Sequence, residues 1–245
     1  MAGSLIKNPG GTIATAGGYL AGKAEFVEMA ACRLTAPGIG SEGGATFDQN
    51  RLLFQGLFLA PQMVGEAVKG THLMAYIFDK LGYGVNPLPL VPRRDVIQAI
   101  KLGSPEKLIA FCKAIQSVSP VGSYLDPVPA TMPGYESEVV MAGGSFIDGS
   151  TSEFSADGPL REPYTVFCQG ATHWTHVAIA LESILESFEK IWIKPPKSPN
   201  SGGLVDINCV RNYLIFLSRQ PKLSLVATPV LGLIPSALSH IKETW

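Results

Sequence analysis

Residues 50–81 are the part of the sequence that most restricts the possible folds. Their apolar side chains recur at helical spacing and nearly surround the helix axis, so we expect a helix buried between layers of other elements. Asn50 is predicted to be the N-cap, and Pro61 predicts a kink or a break. Such a helix belongs inside a sizeable core, which a chain of 245 residues is long enough to form.

The composition predicts extensive burial and argues against two classes of partner. Charged residues make up 16% of the chain, which predicts an oligomeric enzyme or a surface that another part covers. The formal net charge of −1 offers no basic footprint for nucleic acid. The apolar stretch 223–238 contains two prolines and is shorter than the ~20 residues that span a bilayer, so we expect no membrane segment.

The cysteines and the N-terminal residues indicate a cellular location. The four cysteines, at positions 32, 112, 168 and 209, form no C-x-x-C pair, so we predict buried thiols rather than a zinc site. Residues 1–20 lack the basic and apolar segments of a signal peptide. We therefore expect a reducing, cytoplasmic location.

The rest of the pattern predicts a helix, a junction and a compact unit. Residues 23–36 are predicted to be helical, and three prolines in 86–92 indicate a domain boundary. Residues 93–190 predict the order β-α-β-β-β-α, with Ser104 capping the first helix and Thr172 or Thr175 capping the second. Two of these strands are predicted to be antiparallel, with a turn near residues 148 and 149.

Lys7 is the first candidate for chemistry. It stands among small and apolar residues in GSLIKNPGGTIATAGGYLAG, and no acidic residue precedes Glu25. A desolvated lysine is more readily neutral, as it must be to condense with an aldehyde such as that of pyridoxal 5′-phosphate. The nearby Ser4 offers a hydroxyl for a phosphate, and the glycines let the backbone approach a flat ring. On spacing alone the signal is weak, and a turn-forming role for Ser4 stays open.

The Lys7 segment resembles the lysine segment of the aluminium-resistance proteins, also called methionine gamma-lyase-like proteins. The resemblance covers about residues 1–185 and continues through RLTAPGIG, NRLLFQGLFLAPQMVGEA, DVIQAIKLGSPEKLIAFCKAIQ, MPGYESEVVMAGGSFI and SEFSADGPLREPY. These proteins are similar to the cysteine and methionine branch of the pyridoxal-phosphate enzymes. The resemblance implies an α/β, aminotransferase-like fold of type I, with Lys7 as the lysine that binds the cofactor.

This fold implies three parts in the chain. Residues 1–88 are expected to be the C-terminal part of the large cofactor-binding domain, beginning at the lysine. Residues 89–187 are expected to be a small C-terminal α+β domain. Residues 188–245 are a divergent tail that lies outside the resemblance.

The resemblance also implies roles for two further residues. Ser4 matches a position where fold type I enzymes place a phosphate-binding hydroxyl. Arg161 lies in the small domain, where a planar guanidinium grips the substrate carboxylate at two points. The alternative for Arg161 is a surface salt bridge with Glu162 or Asp157, and Arg51 is a second anion-binding candidate for which a structural role is favoured.

A metal site is not expected. His173 and His176 form an H-x-x-H pair at a predicted helix start, but no third ligand accompanies them. Helix capping or packing is therefore the favoured interpretation of this pair.

The function implied by the resemblance is a pyridoxal-phosphate-dependent carbon–sulfur lyase acting on a sulfur amino acid, in a family expected to form homo-oligomers. The Lys7 amine would act as general base on the α-proton. In fold type I the half before the lysine supplies a phosphate loop, a stacking aromatic and an aspartate for the ring nitrogen, whereas six residues precede Lys7 here. The alternative is a non-catalytic fragment, or a subunit that needs a partner to supply that half.

Overall fold

The computed structural model describes residues 1–40, 43, 46–143 and 153–191. The helices are α1 (Ala24–Leu34), α2 (Gln49–Lys80), α3 (Pro105–Ser117) and α4 (Trp174–Lys190), with a short 3-10 helix at Asn8–Gly10. The strands are β1 (Ala2–Ser4), β2 (Gly18–Leu20), β3 (Gly84–Asn86), β4 (Ile97–Lys101), β5 (Val139–Ala142), β6 (Ser155–Pro159) and β7 (Thr165–Gln169). Helices and sheets are thus combined, as the predicted α/β class requires.

The central element is an antiparallel sheet of five strands in the order β3-β4-β7-β6-β5. Alternate residues of its strands are buried, as period-2 geometry demands: Gln98 and Ile100 in β4 face inward, and so do Val166 and Cys168 in β7. Helices α2, α3 and α4 contact the sheet or one another and cover this face. The opposite face is open in the described chain, where Phe167 is exposed.

The predicted β-α-β-β-β-α order of residues 93–190 is confirmed by β4, α3, β5, β6, β7 and α4. Ser104 caps α3, because its hydroxyl accepts a hydrogen bond from the backbone nitrogen of Lys107 at 3.3 Å, and Pro105 occupies the first turn. The predicted cap of α4 is wrong: it is His173, whose Nδ1 accepts from the backbone nitrogen of Thr175 at 3.3 Å. The predicted turn near residues 148 and 149 lies outside the described residues.

The two halves of α2 lie in different surroundings. From Glu66 onward the helix packs into the core, where Met74 and Phe78 are almost fully buried. Before Ala60 several large apolar side chains face outward, and Phe54 and Phe58 are 73% and 82% exposed. The predicted burial of the whole helix is therefore correct for its second half and wrong for its first half within the described chain.

The start of α2 and its proline also differ from expectation. Asp48 is the residue that precedes the helix, so Asn50 is not the N-cap but lies in the first turn. The helix continues through Pro61, so of the two predicted outcomes the break is excluded and the kink stays a prediction. Pro61 lies on the exposed side, and solvent can therefore bond the carbonyl of Leu57 that loses its helical donor.

One core joins α2 to the unit that follows it. Phe78 of α2 packs with Phe111 of α3 and Phe188 of α4, at ring-centroid distances of 5.6 and 6.3 Å. Strand β3 lies between α2 and the 86–92 junction and pairs with β4. The described core thus includes residues on both sides of position 88, and the division of the chain at that position stays a prediction.

The cysteines are divided between core and surface. Cys112 and Cys168 are buried thiols, as predicted. The prediction is wrong for Cys32, which is exposed because none of the residues of α1 is buried in the described chain. Cys209 lies outside the described residues. No helix in the described part of the chain has both the length and the apolar character needed to cross a membrane.

Candidate functional site

Lys7 lies in a closed loop between β1 and β2, formed by residues 5–17 and called the Lys7 loop below. The two strands pair with Ser4 opposite Gly18, and the backbone nitrogen of Leu5 donates to the carbonyl of Gly17 at 3.0 Å. Lys7 is half-buried and stands directly before the 3-10 helix. Its carbonyl accepts a hydrogen bond from the backbone nitrogen of Gly10 at 2.8 Å, so the two positions move together.

Glycines bring the Lys7 loop into backbone contact with α2. A Cβ atom on Gly11 would overlap the carbonyl oxygen of Gly56, and a Cβ on Gly56 would overlap the carbonyl oxygen of Gly10. Gly11 also has a φ of +53°, the left-handed region that glycine adopts without strain. A hydrogen bond of 2.6 Å from the hydroxyl of Thr15 to Oε1 of Gln49 adds a second link to the helix.

Ser4 lies on the same segment as Lys7. It ends β1, is half-buried, and its hydroxyl accepts a hydrogen bond from the backbone nitrogen of Ile6 at 3.4 Å. The fold therefore keeps the hydroxyl and the amine on one short piece of backbone. Its role at a phosphate stays a prediction.

Arg161 lies in a different region of the fold. It is exposed in the turn between β6 and β7, which is bound to the end of β4 by a hydrogen bond from the backbone nitrogen of Leu102 to the carbonyl of Tyr164 at 3.1 Å. That end of β4 pairs with β3, just after the C-terminus of α2. The Lys7 loop contacts Gly56 near the other end of the helix, and residues 56–81 span about 37 Å at 1.5 Å per residue.

The described chain therefore does not bring Arg161 to Lys7. Among the described residues Arg161 forms no ion pair with Glu162 or Asp157 either. Its role at a carboxylate stays a prediction. Arg51 is exposed in the first turn of α2, which agrees with a structural position.

A polar cluster that sequence reasoning missed lies between α2 and β4. Nη1 of Arg93 donates to Oε1 of Gln98 at 2.7 Å, and Nη2 approaches the carbonyl of Thr71 at 3.4 Å. Nε of Arg93 and Nδ1 of His72 are buried without a partner among the described residues. Burial, followed by the charge of Arg93, lowers the pKa of His72 to about 4.

A signal for this cluster exists in the sequence. Gln98 occupies an inward position of β4 between the buried Val96 and Ile100, where alternation predicts an apolar residue. A fully buried amide requires partners, and Gln98 also donates to the carbonyl of Pro87 at 3.1 Å.

The H-x-x-H pair is explained by capping and packing, as the favoured interpretation has it. His173 caps α4, while Nε2 of His176 lies 3.2 Å from the carbonyl of Val118 and its ring meets the Phe154 ring edge-on at 5.1 Å. Burial lowers the pKa of His176. Within the described ranges no three His, Cys, Asp or Glu side chains lie together in a way that could hold a metal ion.

The comparison with protein families decides the identity of the fold around the Lys7 loop. The methionine gamma-lyase family model matches residues 1–189, which include the loop and, apart from the last residue of α4, every helix and strand of the described part of the chain. The chain belongs to the methionine gamma-lyase family. The resemblance drawn from the Lys7 segment is confirmed.

Two family relatives and two solved structures show how much of the family this chain represents. The chain is 48% identical over 187 residues to YnbB, an uncharacterized protein of Bacillus subtilis, covering 76% of this chain and 44% of YnbB. It is 52% identical over 180 residues to a 33.9 kDa protein of Lactobacillus delbrueckii, covering 74% of this chain and 59% of that protein.

The solved structures are similar to the same extent. A carbon–sulfur lyase involved in aluminum resistance from Clostridium novyi is 46% identical, with a TM-score of 0.69 over 78% of this chain and 44% of that one. A Listeria monocytogenes protein proposed to be a cystathionine beta-lyase involved in aluminum resistance is 45% identical, with a TM-score of 0.72 over 78% and 46%. The chain thus spans less than half the length of most of these family members.

Proposed function

We propose that this chain contributes the lysine-bearing half of a pyridoxal 5′-phosphate-dependent carbon–sulfur lyase of fold type I that acts on a sulfur amino acid. The observation that carries the proposal is the Lys7 loop. It holds one lysine, its glycines allow backbone contact with α2, and it occurs in a member of the methionine gamma-lyase family. The name of the Clostridium novyi relative supports carbon–sulfur bond cleavage as the reaction class.

Ser4 and the Lys7 loop fit two of the three cofactor groups that require protein partners, the aldehyde and the phosphate, but not the ring nitrogen. The half-buried Lys7 offers an amine for the aldehyde, and Ser4 offers a hydroxyl for the phosphate. Gly10 and Gly11 keep the nearby backbone free of side chains. The ring nitrogen requires a carboxylate, and no acidic residue precedes Glu25, so we assign that partner to the part of the family fold that this chain does not span.

The chain's own residues would act in the following way. The bound cofactor supplies an electron sink for the reacting carbon of the amino acid. The Lys7 amine removes the proton from the α-carbon and returns it later as general acid. The Ser4 hydroxyl donates a hydrogen bond to the phosphate and thereby fixes the register of the ring against the loop.

The proposed role of Arg161 requires a second copy of the chain. A bidentate grip on the substrate carboxylate suits its guanidinium. Because Arg161 lies near the opposite end of α2 from the Lys7 loop, we assign it to a site that contains the Lys7 of another chain. Homo-oligomerisation would bring such a site together.

We propose the cytoplasm as the location of the protein. The free thiols of Cys112 and Cys168 fit that reducing compartment.

A specific observation favours the second candidate, a subunit that is inactive until a complementary polypeptide binds. Helix α1 and the first half of α2 each expose large apolar side chains, of which Phe26, Met29, Leu57 and Phe58 are more than half exposed. Large exposed apolar side chains favour an interaction site. The relatives contain more than this chain does, and their remaining part is the occupant that the second candidate requires.

The experiment that tests both candidates measures thiol release from sulfur amino acids with pyridoxal phosphate present. The chain is assayed alone and together with the part of YnbB that lies outside the matched region. Activity of the chain alone supports an autonomous lyase, and activity only in the mixture supports the complementing subunit. The role of Lys7 is contradicted if Lys7→Ala is as active as the control Lys23→Ala, whether the chain is assayed alone or in the mixture.

A further inference from the structure

The position of Lys7 depends on a contact that lies far from it in the sequence. The Lys7 loop rests on α2 where the backbone of Gly10 and Gly11 meets the backbone of Gly56. Both partners of this contact are main chain, so neither can rotate away as a flexible side chain does. The contact is possible only because Gly11 and Gly56 both lack a Cβ atom.

We infer that Gly56 is a positioning residue for Lys7, an inference that rests on the proposed function of the Lys7 amine. A methyl group on Gly56 would overlap the carbonyl oxygen of Gly10 and approach the Gly10 Cα to 3.3 Å. To restore van der Waals contact the loop must move by about 1 Å. Gly10 donates to the carbonyl of Lys7, so this displacement passes directly to the lysine.

Gly56 lies outside the buried core, so a substitution there can change the position of Lys7 without a large loss of global stability. The buried core of the described chain is built from residues after Ala60, while the first half of α2 carries exposed side chains. A displacement at Gly56 therefore disturbs the Lys7 loop before it disturbs the core. A reacting amine misplaced by ~1 Å can lose on the order of a hundredfold in rate, because productive geometry is narrow.

Two other glycines of the same helix provide matched controls. Gly65 lies about 14 Å further along α2, and a Cβ there would meet no atom within 4 Å. Gly70 lies about 21 Å from Gly56, and a Cβ there would press on Cγ2 of Val177 in α4 at 2.6 Å. Gly65→Ala tests added helix propensity alone, and Gly70→Ala tests a packing defect remote from the lysine.

The first readout is capture of pyridoxal phosphate by individual lysines. The amine condenses with the aldehyde with loss of water, and borohydride then delivers hydride to carbon, leaving a stable secondary amine that peptide mass mapping locates. We expect Gly56→Ala to lower the ratio of adduct at Lys7 to adduct at the exposed Lys23 by at least about tenfold. Gly65→Ala and Gly70→Ala should keep the wild-type ratio, even if Gly70→Ala unfolds at lower temperature.

The second readout does not involve the cofactor. A small acylating ester modifies accessible lysine amines, and its rates at Lys7 and at Lys23 are measured at one fixed pH. We expect Gly56→Ala to change the acylation rate at Lys7, because the loop that holds it is displaced, and to leave the rate at Lys23 unchanged. If wild-type Lys7 fails to capture pyridoxal phosphate and this change in rate is still seen, the proposed function fails and the positioning role stands.

The inference is overturned if folded Gly56→Ala keeps both the wild-type adduct ratio and the wild-type acylation rate at Lys7. If Gly56→Ala does not fold, Gly11→Ala tests the same contact from the loop side, since its Cβ would overlap the carbonyl oxygen of Gly56. Wild-type values at Lys7 in a folded Gly11→Ala protein overturn the inference equally. A loss at Lys7 in either variant, without the same loss in Gly70→Ala, supports it.

Discussion

The carboxylate of Glu66 accepts a hydrogen bond from the backbone nitrogen of Trp174 at 3.3 Å, and this bond joins the middle of α2 to the first residue of α4. Glu66 is only 4% exposed, and its other oxygen accepts from Nζ of Lys69 at 2.6 Å. This contact satisfies a hydrogen-bonding group on each side, because a helix N-terminus requires acceptors and a buried carboxylate requires donors.

We expect Glu66→Ala to lower the free energy of unfolding by about 2 kcal/mol, because it leaves the first turn of α4 without this acceptor. The measurement is urea denaturation followed by circular dichroism. Lys69→Ala is the control and should cost less than about 1 kcal/mol, since that lysine is half exposed. Equal losses for the two variants would contradict the assigned role of the Trp174 contact.

Stability should fall as the pH falls from 6.5 toward 4, and His72 should account for part of that fall. The pKa of His72 is lowered from 6.5 to about 4 by burial and then by Arg93. In this window the unfolded chain binds a proton that the folded chain does not, so protonation favours unfolding. The lowered pKa of the partly buried His176 acts in the same direction.

The variant His72→Gln should lose less stability between pH 6.5 and 4 than the wild type, by about 1–2 kcal/mol once solvent screening of the partly exposed ring is allowed for. Thermal unfolding at a series of pH values measures this difference. Parallel curves for the two proteins would show that folding does not lower the pKa of His72.

The thiols should differ sharply in reactivity. Cys32 is exposed, whereas Cys112 and Cys168 are buried, and burial raises the pKa of the Cys168 thiol to about 12 and that of Cys112 further still. The thiolate is the reactive form, so alkylation of the native protein should label Cys32 before Cys112 and Cys168. Time-resolved peptide mapping measures the order, with Cys32→Ser as the control. Early labelling of Cys112 would contradict the described packing.

Arg93→Lys should destabilise the protein by about 1–2 kcal/mol, because one ammonium cannot contact both Gln98 and the carbonyl of Thr71. The neighbouring Arg94 is exposed, and Arg94→Lys is the matched control with an expected change close to zero. Urea denaturation compares the two. A similar small change in both variants would mean that the Arg93 contacts add nothing to stability.

Much of the second half of the described fold is predictable because its signals are local. Ser104 and Pro105 define the start of α3 without reference to the rest of the chain, and the alternation in β4 and β7 separates their buried from their exposed residues. These patterns depend on neighbours within a few residues. The family resemblance adds Lys7 and Ser4, which no local pattern selects with the same specificity.

The first half of α2 shows where local signals end. Its apolar residues, including Phe54 and Phe58, predict burial equally with those after Glu66, but periodicity says nothing about whether another element covers a face. Asp48 and Asn50 are both residue types that favour caps, so composition alone cannot choose between them.

Long-range contacts account for what the sequence leaves out of the candidate site. The approach of Gly56 to the Lys7 loop joins positions more than forty residues apart. The sequence contains no pattern that predicts this contact, only glycines at the contacting positions. The Arg93 cluster likewise depends on α2 crossing β4. The separation of Arg161 from Lys7 follows from the direction of α2, which spacing along the chain does not reveal.

The central claim is that the Lys7 amine is the group that binds pyridoxal phosphate, and borohydride trapping with peptide mapping tests it most directly. The account predicts a visible absorbance band on mixing, with reduced adduct concentrated on Lys7 and lost in Lys7→Ala but retained in Lys23→Ala. Adduct spread evenly over the surface lysines, with no difference between wild type and Lys7→Ala, would contradict the claim.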